Sequence, residues 1–356
     1  MSMKRIIKSL MKRGLDYFIF EKFSAKISQL NTSQSLYEQI FETKPLIAPK
    51  QYSFELHFLV CEKDFLRSFW ALKSFFYYSN LSARLVIQDD GTLTEEMIEL
   101  YKKHFPKCIV NTNNDDELQE ALTGYPMCQF FLGHHAISKK LFPPLLLSKT
   151  DYVMIMDSDI LWFKQSNTIT NCVKKGLPFY VDGGSDGAYV RNQKFMQNKL
   201  GIYPADRVNT GIVGYQKSKF LDLEFIESAI QKLVYIPKEF MLESLGYNNG
   251  IDIHSEDINK TLCWWVMEQT IYALLLGREP QRQVLKHWSN QKLDQLFGDL
   301  HQFTNSPIMK GTTLIHYISD RKHNQFFPTG VQHLIKRGFL EKLSKLSYTT
   351  KTLEYS

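Results

Sequence analysis

Residues 152–159 read YVMIMDSD: five consecutive apolar residues are followed at once by two aspartates on either side of a serine. An unbroken apolar run of this length is typical of a central strand that is buried on both faces of a sheet. Because side chains alternate along an extended chain, Asp157 and Asp159 are expected on one side and Ser158 on the other. Two neighbouring carboxylates repel each other unless a cation lies between them. The stretch therefore predicts a site for Mn²⁺ or Mg²⁺ at the end of a buried strand.

The sequence before this strand alternates between strand and helix patterns. Short apolar runs at 54–60 (FELHFLV) and 84–88 (RLVIQ) predict two strands, and residues 108–110 predict a third. Apolar residues at helical spacing predict a helix over 64–79, and Thr94 is the expected N-cap of another helix. This alternation implies a parallel sheet with helices on both faces.

The sequence after the strand continues the mixed pattern. The predicted elements are strands at 177–181, 210–215 and 312–317, helices at 221–233 and 264–276, and a long polar loop at 240–260. The economical assignment is one mixed α/β domain over residues 51–320. A helical extension over residues 1–50 precedes it, and a helical tail over residues 321–356 follows it.

Polar residues follow the predicted strands at the ends where an open parallel sheet binds its ligands. Cys61 follows the strand that ends at Val60, and Asp89 and Asp90 follow the second strand. Asp157 stands at the same position after the buried strand at 152–156. We therefore expect the ligand site along this edge of the sheet.

The composition excludes several classes of protein. A net charge of +6 over 356 residues suits anionic ligands or an acidic lipid surface, and no aromatic and basic RNA-binding motif is present, so no nucleic-acid partner is expected. Five scattered cysteines without a C-x-x-C pair argue against a disulfide framework and a structural zinc site. A reducing, cytoplasmic location is the simpler expectation.

No apolar run approaches the length of about 20 residues that a membrane-spanning helix needs. Residues 1–14 lack the apolar core and the cleavage site of a secretory signal, and their pattern is that of a basic amphipathic helix. Such a helix either lies on the inner face of a membrane or packs on the domain as a solvated helix. Both interpretations stay open.

Residues 138–163 (SKKLFPPLLLSKTDYVMIMDSDILWF) resemble the DxD region of the GT-A glycosyltransferases. The resemblance is closest to glycosyltransferase family eight, the group of glycogenin and the lipopolysaccharide galactosyltransferases. It implies a GT-A type α/β fold, a mixed and mostly parallel sheet flanked by helices. Lys140 occupies the family's basic position before the strand, where the resemblance implies a contact with the phosphate or the sugar of the donor.

Three further motifs follow in the order that this family has. Asn209 and Gly211 within VNTGIVGY resemble the N-x-G motif that lies beside the donor sugar. Glu268 and Gln269 resemble the D-Q pair, whose glutamine lies near the reacting anomeric carbon. His316 in TTLIHY resembles the histidine that completes the metal site with the two aspartates.

The resemblance implies a metal-dependent glycosyltransferase that takes a nucleotide-sugar donor, with a UDP-sugar as the family's expectation. The stretch Asp157-Ser158-Asp159 would hold the cation against the donor diphosphate, and retention of anomeric configuration is implied. The ends of the first two strands would flank the base and the ribose, through Val60, Cys61, Asp89 and Asp90. The loop at 182–187 is expected to meet the acceptor, whether carbohydrate, lipid-linked or protein.

The chain departs from the family pattern at several positions. The glycine-rich, lysine-containing sequence that follows the family's histidine is missing, and Arg321 or Lys322 would have to replace its phosphate contact. Glu268 stands where the family has Asp, and the first strand continues into an unusual sequence, Val60 to Asp64. The relationship is therefore distant.

Three alternatives stay open from the sequence. An inverting enzyme would use Glu268 or Asp182 as its base. A sugar-1-phosphate nucleotidyltransferase shares the same kind of sheet, although residues 58–65 (FLVCEKDF) lack the glycines of that class. A non-catalytic protein that binds nucleotide sugars is the third alternative, and the intact D-x-D argues against it.

Overall fold

A computed structural model of the chain describes residues 34–46, 49, 51–112, 115–183, 188–241, 243–246, 262, 264–285, 288–289, 311–317 and 326–345. Several predicted features lie outside these residues: the first 33 residues of the extension, most of the acceptor loop at 182–187, most of the polar loop at 240–260, Arg321, Lys322 and the last residues of the tail.

The described residues form ten strands. They are β1 (Phe54–Val60), β2 (Ala83–Asp89), β3 (Ile109–Asn111), β4 (Tyr152–Met156), β5 (Ile160–Trp162), β6 (Phe179–Asp182), β7 (Val208–Gln216), β8 (Gln283–Leu285), β9 (Trp288–Ser289) and β10 (Leu314–His316). Seven of these strands form one sheet in the order β3-β2-β1-β4-β7-β6-β8. Strand β7 is antiparallel to its neighbours β4 and β6, and the other neighbouring strands are parallel.

Helices of the described residues connect these strands. They are α1 (Phe65–Ser79), α2 (Glu95–His104), α3 (Asp115–Ala121), α4 (Pro126–His134), α5 (Phe142–Leu146), α6 (Asn167–Lys175), α7 (Gln193–Phe195), α8 (Lys217–Phe220), α9 (Leu223–Val234), α10 (Met267–Gly277), α11 (Phe326–Lys336) and α12 (Phe339–Lys345). Three further segments matter below. They are a 3₁₀ helix at Gln39–Glu42, one at Ala136–Lys140 and one at Trp264–Val266.

Strand β4 shows why the sheet is covered on both sides. All five of its side chains are buried, as the apolar run predicts. Met154 and Met156 join the hydrophobic core that contains α1, whereas Val153 and Ile155 join a second core built by α4, α9 and α10. The period-two alternation of a strand thus supplies both cores. The predicted α/β architecture, a mixed and mostly parallel sheet flanked by helices, is confirmed.

Predicted and observed boundaries coincide at β1 and β4 and differ by a few residues elsewhere. The helix predicted from 221 begins at Leu223, because the side chain of Asp222 accepts a hydrogen bond from the Phe225 amide and caps it. The helix predicted from 264 begins as a 3₁₀ turn and becomes α-helical at Met267. Thr94 caps α2, as expected.

Residues 34–46 pack against α1. The indole nitrogen of Trp70 donates to the carbonyl of Tyr37 at 2.9 Å, and Ile40 is fully buried in the same core as β1. The division between an extension and a catalytic domain at residue 51 stays a prediction, as does the tail that begins at residue 321.

A buried lysine lies beneath this segment. Lys73 on α1 donates from Nζ to the hydroxyl of Thr43 and to the carbonyl of Lys44, at 3.2 Å for the latter. Its third neighbour is Nδ1 of His104 on α2, at 3.1 Å. Neutral oxygen and nitrogen atoms, rather than carboxylates, therefore surround this ammonium group.

The second, three-stranded sheet lies at the carboxyl end of β4 and has the order β5-β10-β9. Strands β5 and β10 are antiparallel, and His316 lies opposite Ile160. The carbonyl of Asp159 accepts a hydrogen bond from the amide of Tyr317 at 2.9 Å. This pairing brings His316 next to the aspartates that follow β4, far along the chain.

Among the helices that the structure describes, none has the length and apolar character required to cross a lipid bilayer. The predicted cytoplasmic location, and contact of residues 1–14 with a membrane, stay predictions from the sequence.

Candidate functional site

Asp157, Asp159 and His316 form a compact group at the carboxyl edge of the main sheet. One ligand atom from each lies within 4.8 Å of those of the other two. Nε2 of His316 is 3.1 Å from Oδ1 of Asp159 and 3.7 Å from Oδ2 of Asp157. The predicted metal ligands are therefore close enough together to coordinate one ion.

Gly211 on β7 leaves space for the imidazole of His316. A Cβ atom at this glycine would overlap the ring of His316 and the amide oxygen of Asn209. The carbonyl of Gly211 accepts the amide hydrogen of Asp157 at 2.8 Å, which fixes the first residue after β4. Close packing against His316 therefore explains why a glycine occupies this position of the N-x-G motif.

Lys140 lies behind the aspartates, at the end of the Ala136–Lys140 turn. Its ammonium group is 2.7 Å from Oδ1 of Asp157 and 3.5 Å from Oε1 of Glu268, and it donates to the carbonyl of Thr210 at 3.3 Å. The carbonyl of Lys140 accepts from the hydroxyl of Tyr272 on α10, which anchors the turn. Lys140 is thus a buried cation held against the first aspartate.

Burial and neighbouring charges shift the pKa values of this group in opposite directions. Burial acts to lower the pKa of Lys140, but the carboxylates of Asp157 and Glu268 outweigh it and raise this pKa above its ordinary value. Burial raises the pKa of Glu268 to about 7, although Lys140 opposes it. Burial likewise acts to lower the pKa of His316, and Asp159 and then Asp157 reverse the shift.

Glu268 and Gln269 lie at the start of α10 and bond to β7. Glu268 is buried and accepts a hydrogen bond from the hydroxyl of Thr210 at 3.1 Å. The amide oxygen of Gln269 accepts from the Thr210 amide at 3.2 Å, and its nitrogen donates to the carbonyl of Ala188 at 2.8 Å. Both polar atoms of Gln269 therefore contact backbone groups of the protein.

Asn209 precedes the glycine on β7, and its side chain folds back on its own strand. The amide oxygen of Asn209 accepts a hydrogen bond from the amide of Gly211 at 2.8 Å. This contact uses only the oxygen of the side chain, and the NH₂ group of Asn209, its donor, takes no part in it.

Ser158 faces away from the two aspartates, as the alternation predicts. Its hydroxyl donates to Oδ2 of Asp64 at 3.1 Å, and the other oxygen of Asp64 pairs with Arg67. The turn after β4 is thus tied to the turn after β1. Asp64 was outside our predicted site, because nothing in its local sequence indicates a partner so far along the chain.

The ends of β1 and β2 lie side by side at the same edge. The carbonyl of Val60 accepts from the amide of Asp90 at 3.2 Å, and Cys61 is half-buried between the strand and the turn that follows it. Oδ1 of Asp89 accepts the amides of residues 91, 92 and 93, and Oδ1 of Asp90 accepts the hydroxyl of Thr92. These two carboxylates shape the turn after β2.

Two further polar contacts lie at this edge; Lys139 was outside our predictions, whereas Asp182 was a candidate base of an inverting enzyme. Lys139, next to Lys140, places its ammonium group 3.3 Å from the carbonyl of Asp89 and 3.2 Å from Oδ1 of Asp115. Asp182, at the end of β6, is buried and pairs with Arg207 at 3.2 Å. A double lysine before a strand was the only sequence signal for the first contact.

The donor set fits a divalent ion. Two carboxylates and an imidazole that converge within 4.8 Å are the ligand types that Mn²⁺ accepts, and Mg²⁺ accepts the carboxylates. Gly211 leaves space for the imidazole, and the backbone amide of Asp157 donates a hydrogen bond to the carbonyl of Gly211 on β7. Asp157, Asp159 and His316 are therefore the residues that would hold the ion.

No protein-family model matches the chain, and no curated protein matches its sequence significantly. Among solved structures, the chain is similar to mouse xyloside xylosyltransferase 1, with a TM-score of 0.45 and 11% identity over 77% of this chain and 99% of that one. It is similar to the galactosyltransferase LgtC in complex with donor and acceptor sugar analogs, with a TM-score of 0.43 and 13% identity over 80% of this chain and 95% of that one.

A third similar structure is core-mannan synthase A from Aspergillus fumigatus in its Mn/GDP form. Its TM-score is 0.40, with 10% identity over 68% of this chain and 75% of that one. The solved structures named here are all glycosyltransferases, the class that the sequence motifs resemble. With TM-scores below 0.5, they specify neither donor, acceptor nor metal for this chain.

Proposed function

We propose that the chain is a metal-dependent glycosyltransferase that moves a sugar from a nucleotide-sugar donor to an acceptor. The observation that carries the proposal is the convergence of Asp157, Asp159 and His316 within 4.8 Å, with the ammonium group of Lys140 at 2.7 Å from Asp157. Two acids, an imidazole and a buried cation at the end of a central strand suit a diphosphate bound through an ion.

In the proposed reaction, negative charge develops on the leaving group, and the site has to stabilise it. When the bond between the anomeric carbon and the donor phosphate breaks, the nucleoside diphosphate leaves with the electron pair. A Mn²⁺ or Mg²⁺ ion, when bound, supplies electrostatic stabilisation of that leaving group. Lys140 adds a second positive charge, and its raised pKa keeps it protonated at neutral pH.

We propose retention of anomeric configuration. An inverting reaction needs a carboxylate that reaches the acceptor hydroxyl, and Glu268 and Asp182 are the two that the sequence suggests. Glu268 is buried against Lys140, and Asp182 is buried against Arg207, so both are engaged within the protein. The proton of the acceptor would then pass to the leaving phosphate. The anomer released on donor hydrolysis, followed by proton NMR, distinguishes the two outcomes.

The decisive test removes one proposed ligand. Asp159→Asn keeps the size of the side chain and is expected to weaken binding of UDP in the presence of Mn²⁺, and donor hydrolysis, by at least about 100-fold. Titration calorimetry with Mn²⁺ and UDP measures the first effect. Asp151→Asn is the matched control, since Asp151 lies before the other end of β4 and bonds to the amide of Ser218.

The test has clear contrary outcomes. Full Mn²⁺-dependent binding in Asp159→Asn would reject the metal site. Absence of a Mn²⁺-dependent complex with UDP, GDP or dTDP in the wild type would favour a non-catalytic protein that binds a sugar or a partner. Release of pyrophosphate from a nucleoside triphosphate and a sugar phosphate would instead indicate a nucleotidyltransferase.

A further inference from the structure

Thr210 is the middle residue of the N-x-G motif on β7, and its side chain is buried. Because side chains alternate along a strand, its hydroxyl lies on the opposite face of β7 from Gly211, which packs against His316. On that opposite face the hydroxyl meets α10 at Glu268. The family resemblance gives roles to the other two residues of the motif and none to the residue between them.

Each of the three polar groups of Thr210 bonds to a side chain of the candidate site. The amide donates to Oε1 of Gln269 at 3.2 Å, and the hydroxyl donates to Oε2 of Glu268 at 3.1 Å. The carbonyl accepts from the ammonium group of Lys140 at 3.3 Å. Thr210 therefore joins two segments of the site, the turn before β4 and the start of α10.

The backbone groups of Thr210 point toward β6. Gly211, the next residue, accepts from the amide of Asp157 on the side of β4, and successive residues of a strand direct their backbone groups to opposite sides. The register of β6 against β7 shifts next to Val181, and residues 210–212 lie in this irregularity. The two side chains that bond to the amide and the carbonyl of Thr210 thus take the place of ladder partners. Bulges of this kind are frequent next to active sites.

Glu268 links the hydroxyl of Thr210 to the charge of Lys140. The carboxylate is buried, and its Oε1 lies 3.5 Å from the ammonium group of Lys140. A buried carboxylate depends on hydrogen bonds and on a nearby cation, because it has lost its hydration. The bond from Thr210 holds one oxygen of Glu268, so the other oxygen stays directed at Lys140.

We propose that Thr210 is a positioning residue, which fixes the ammonium group of Lys140 where the diphosphate of the donor would bind. This inference rests on the proposed function, in which Lys140 stabilises the leaving diphosphate. Thr210 acts through its carbonyl and, through its hydroxyl, by way of Glu268. The hydroxyl donates to α10 rather than to a proposed metal ligand, so affinity for the ion alone should not depend on it.

The test removes this hydroxyl and measures binding by isothermal titration calorimetry. The ligand is whichever of UDP, GDP and dTDP the wild type binds most tightly at saturating Mn²⁺. Thr210→Val is expected to weaken its binding about tenfold, the effect typical of a residue that orients a residue in direct contact with a ligand. Affinity for Mn²⁺ alone should change by less than about twofold. Thr210→Ser keeps the hydroxyl and should bind the nucleotide within about threefold of the wild type.

A double-variant cycle shows whether Thr210 acts through Lys140. In the Lys140→Met background, Thr210→Val should change nucleotide affinity by less than about twofold, because the group that it positions is absent. Thr43→Val is the matched control. Thr43 is also a buried threonine, and its hydroxyl bonds to another ionisable side chain, that of Lys73. This control should keep nucleotide affinity within about twofold even if it lowers stability.

Several outcomes would overturn the positioning role. They are unchanged affinity in Thr210→Val, equal losses in Thr210→Val and Thr43→Val, a loss that Thr210→Ser does not restore, and losses that multiply in the double variant with Lys140→Met. In each of them the wild type still binds the nucleotide with Mn²⁺, so the proposed function stands. If the wild type binds none of the three nucleotides, the proposed function and the positioning role fail together.

Circular dichroism melting checks that every variant is folded. Thr210→Val places a methyl group next to the carboxylate of Glu268, which could prevent folding. Thr210→Ala removes the same hydroxyl without that methyl group and takes its place in the cycle if the valine variant does not fold. The same losses and the same lack of additivity with Lys140→Met are then expected.

Discussion

Lys140 and Lys73 are both buried, but only Lys140 faces carboxylates. Asp157 and Glu268 lie within 3.5 Å of its ammonium group, and they raise the pKa of Lys140 against the effect of burial. Lys73 has a hydroxyl, a carbonyl and an imidazole around it, and burial lowers its pKa to about 7.

The difference in surroundings distinguishes a lysine that stays charged and can attract a ligand from a lysine that only supports the fold. A cation buried beside acids stays charged and can attract a ligand anion, because the acids compensate for the lost hydration. A lysine buried among neutral atoms loses much of its charge at neutral pH. It then serves as a hydrogen-bond donor that attaches residues 43 and 44 to α1. Burial alone therefore does not indicate a functional lysine.

The largest expected effect comes from removing the positive charge of Lys140. Lys140→Met should reduce donor hydrolysis by about 10²–10³-fold, because the leaving diphosphate loses a fixed positive charge. Steady-state kinetics with Mn²⁺ and a UDP-sugar measure this loss.

The distinction between the two lysines would be wrong if both substitutions reduced activity to the same extent. Lys73→Met is the matched control and should keep activity within about twofold, since its side chain bonds to Thr43 and Lys44 rather than to the site. Equal losses in the two variants would show that Lys140 acts through stability, and circular dichroism melting of both proteins checks this.

An effect of intermediate size is expected on the pH dependence of the free energy of unfolding, through Lys73. The pKa of Lys73 is about 7 in the folded protein and 10.5 in its ordinary state, so the unfolded chain binds more protons between these values. Stability contributed by Lys73 therefore rises with pH from about 7 to 10.5, with a slope of at most about 1.4 kcal/mol per pH unit. Urea unfolding of the wild type and of Lys73→Met, at pH 7.0 to 9.5, measures it.

The expected sign is specific. Lys73→Met should be as stable as the wild type or more stable at pH 7, because a buried amine gives way to an apolar side chain. Its advantage should shrink as the pH rises. A constant difference across the range would show that Lys73 keeps its charge when folded.

The smallest expected effect comes from changing Gly211, which packs against the proposed metal ligand His316. Gly211→Ala should weaken Mn²⁺ binding about tenfold, because the new Cβ displaces the imidazole of His316. Gly133→Ala is the control: its nearest neighbour is Gln119 at 3.8 Å, and the helical position should gain about 0.5–1 kcal/mol of stability. Isothermal titration with Mn²⁺ distinguishes the variants, and unchanged affinity in Gly211→Ala would contradict the packing reason for this glycine.

Much of the fold could be predicted from the sequence because its central strands are short, mostly apolar runs that are almost wholly buried. β1 and β4 were predicted to the residue, since burial on both faces leaves no alternative pattern. β3 is half-buried and shifts by one residue, because pairing of Ile109 with Val86, rather than its own composition, fixes its register. β7 begins before the predicted strand because Asn209 is polar yet part of the ladder.

The candidate site could be predicted only where its residues follow strands or stand in motifs. Asp157 and Asp159 follow an apolar run, and that run predicts their place. The contacts of Lys139 with Asp115 and of Ser158 with Asp64 join distant parts of the chain and leave no periodic signal. The burial of Glu268 is equally hidden, because a polar residue on a helix usually faces solvent.

The imidazole of His316 belongs to a small sheet of its own, whereas the two aspartates follow a strand of the large one. An ion shared by these three side chains would therefore bridge two sheets through residues that are far apart in sequence. Opening the β5–β10 pairing would take one ligand away from the ion, and losing the ion would remove a restraint on that pairing. Divalent cations in solution would thus set how firmly β10 stays paired with β5 beside the carboxyl end of β4.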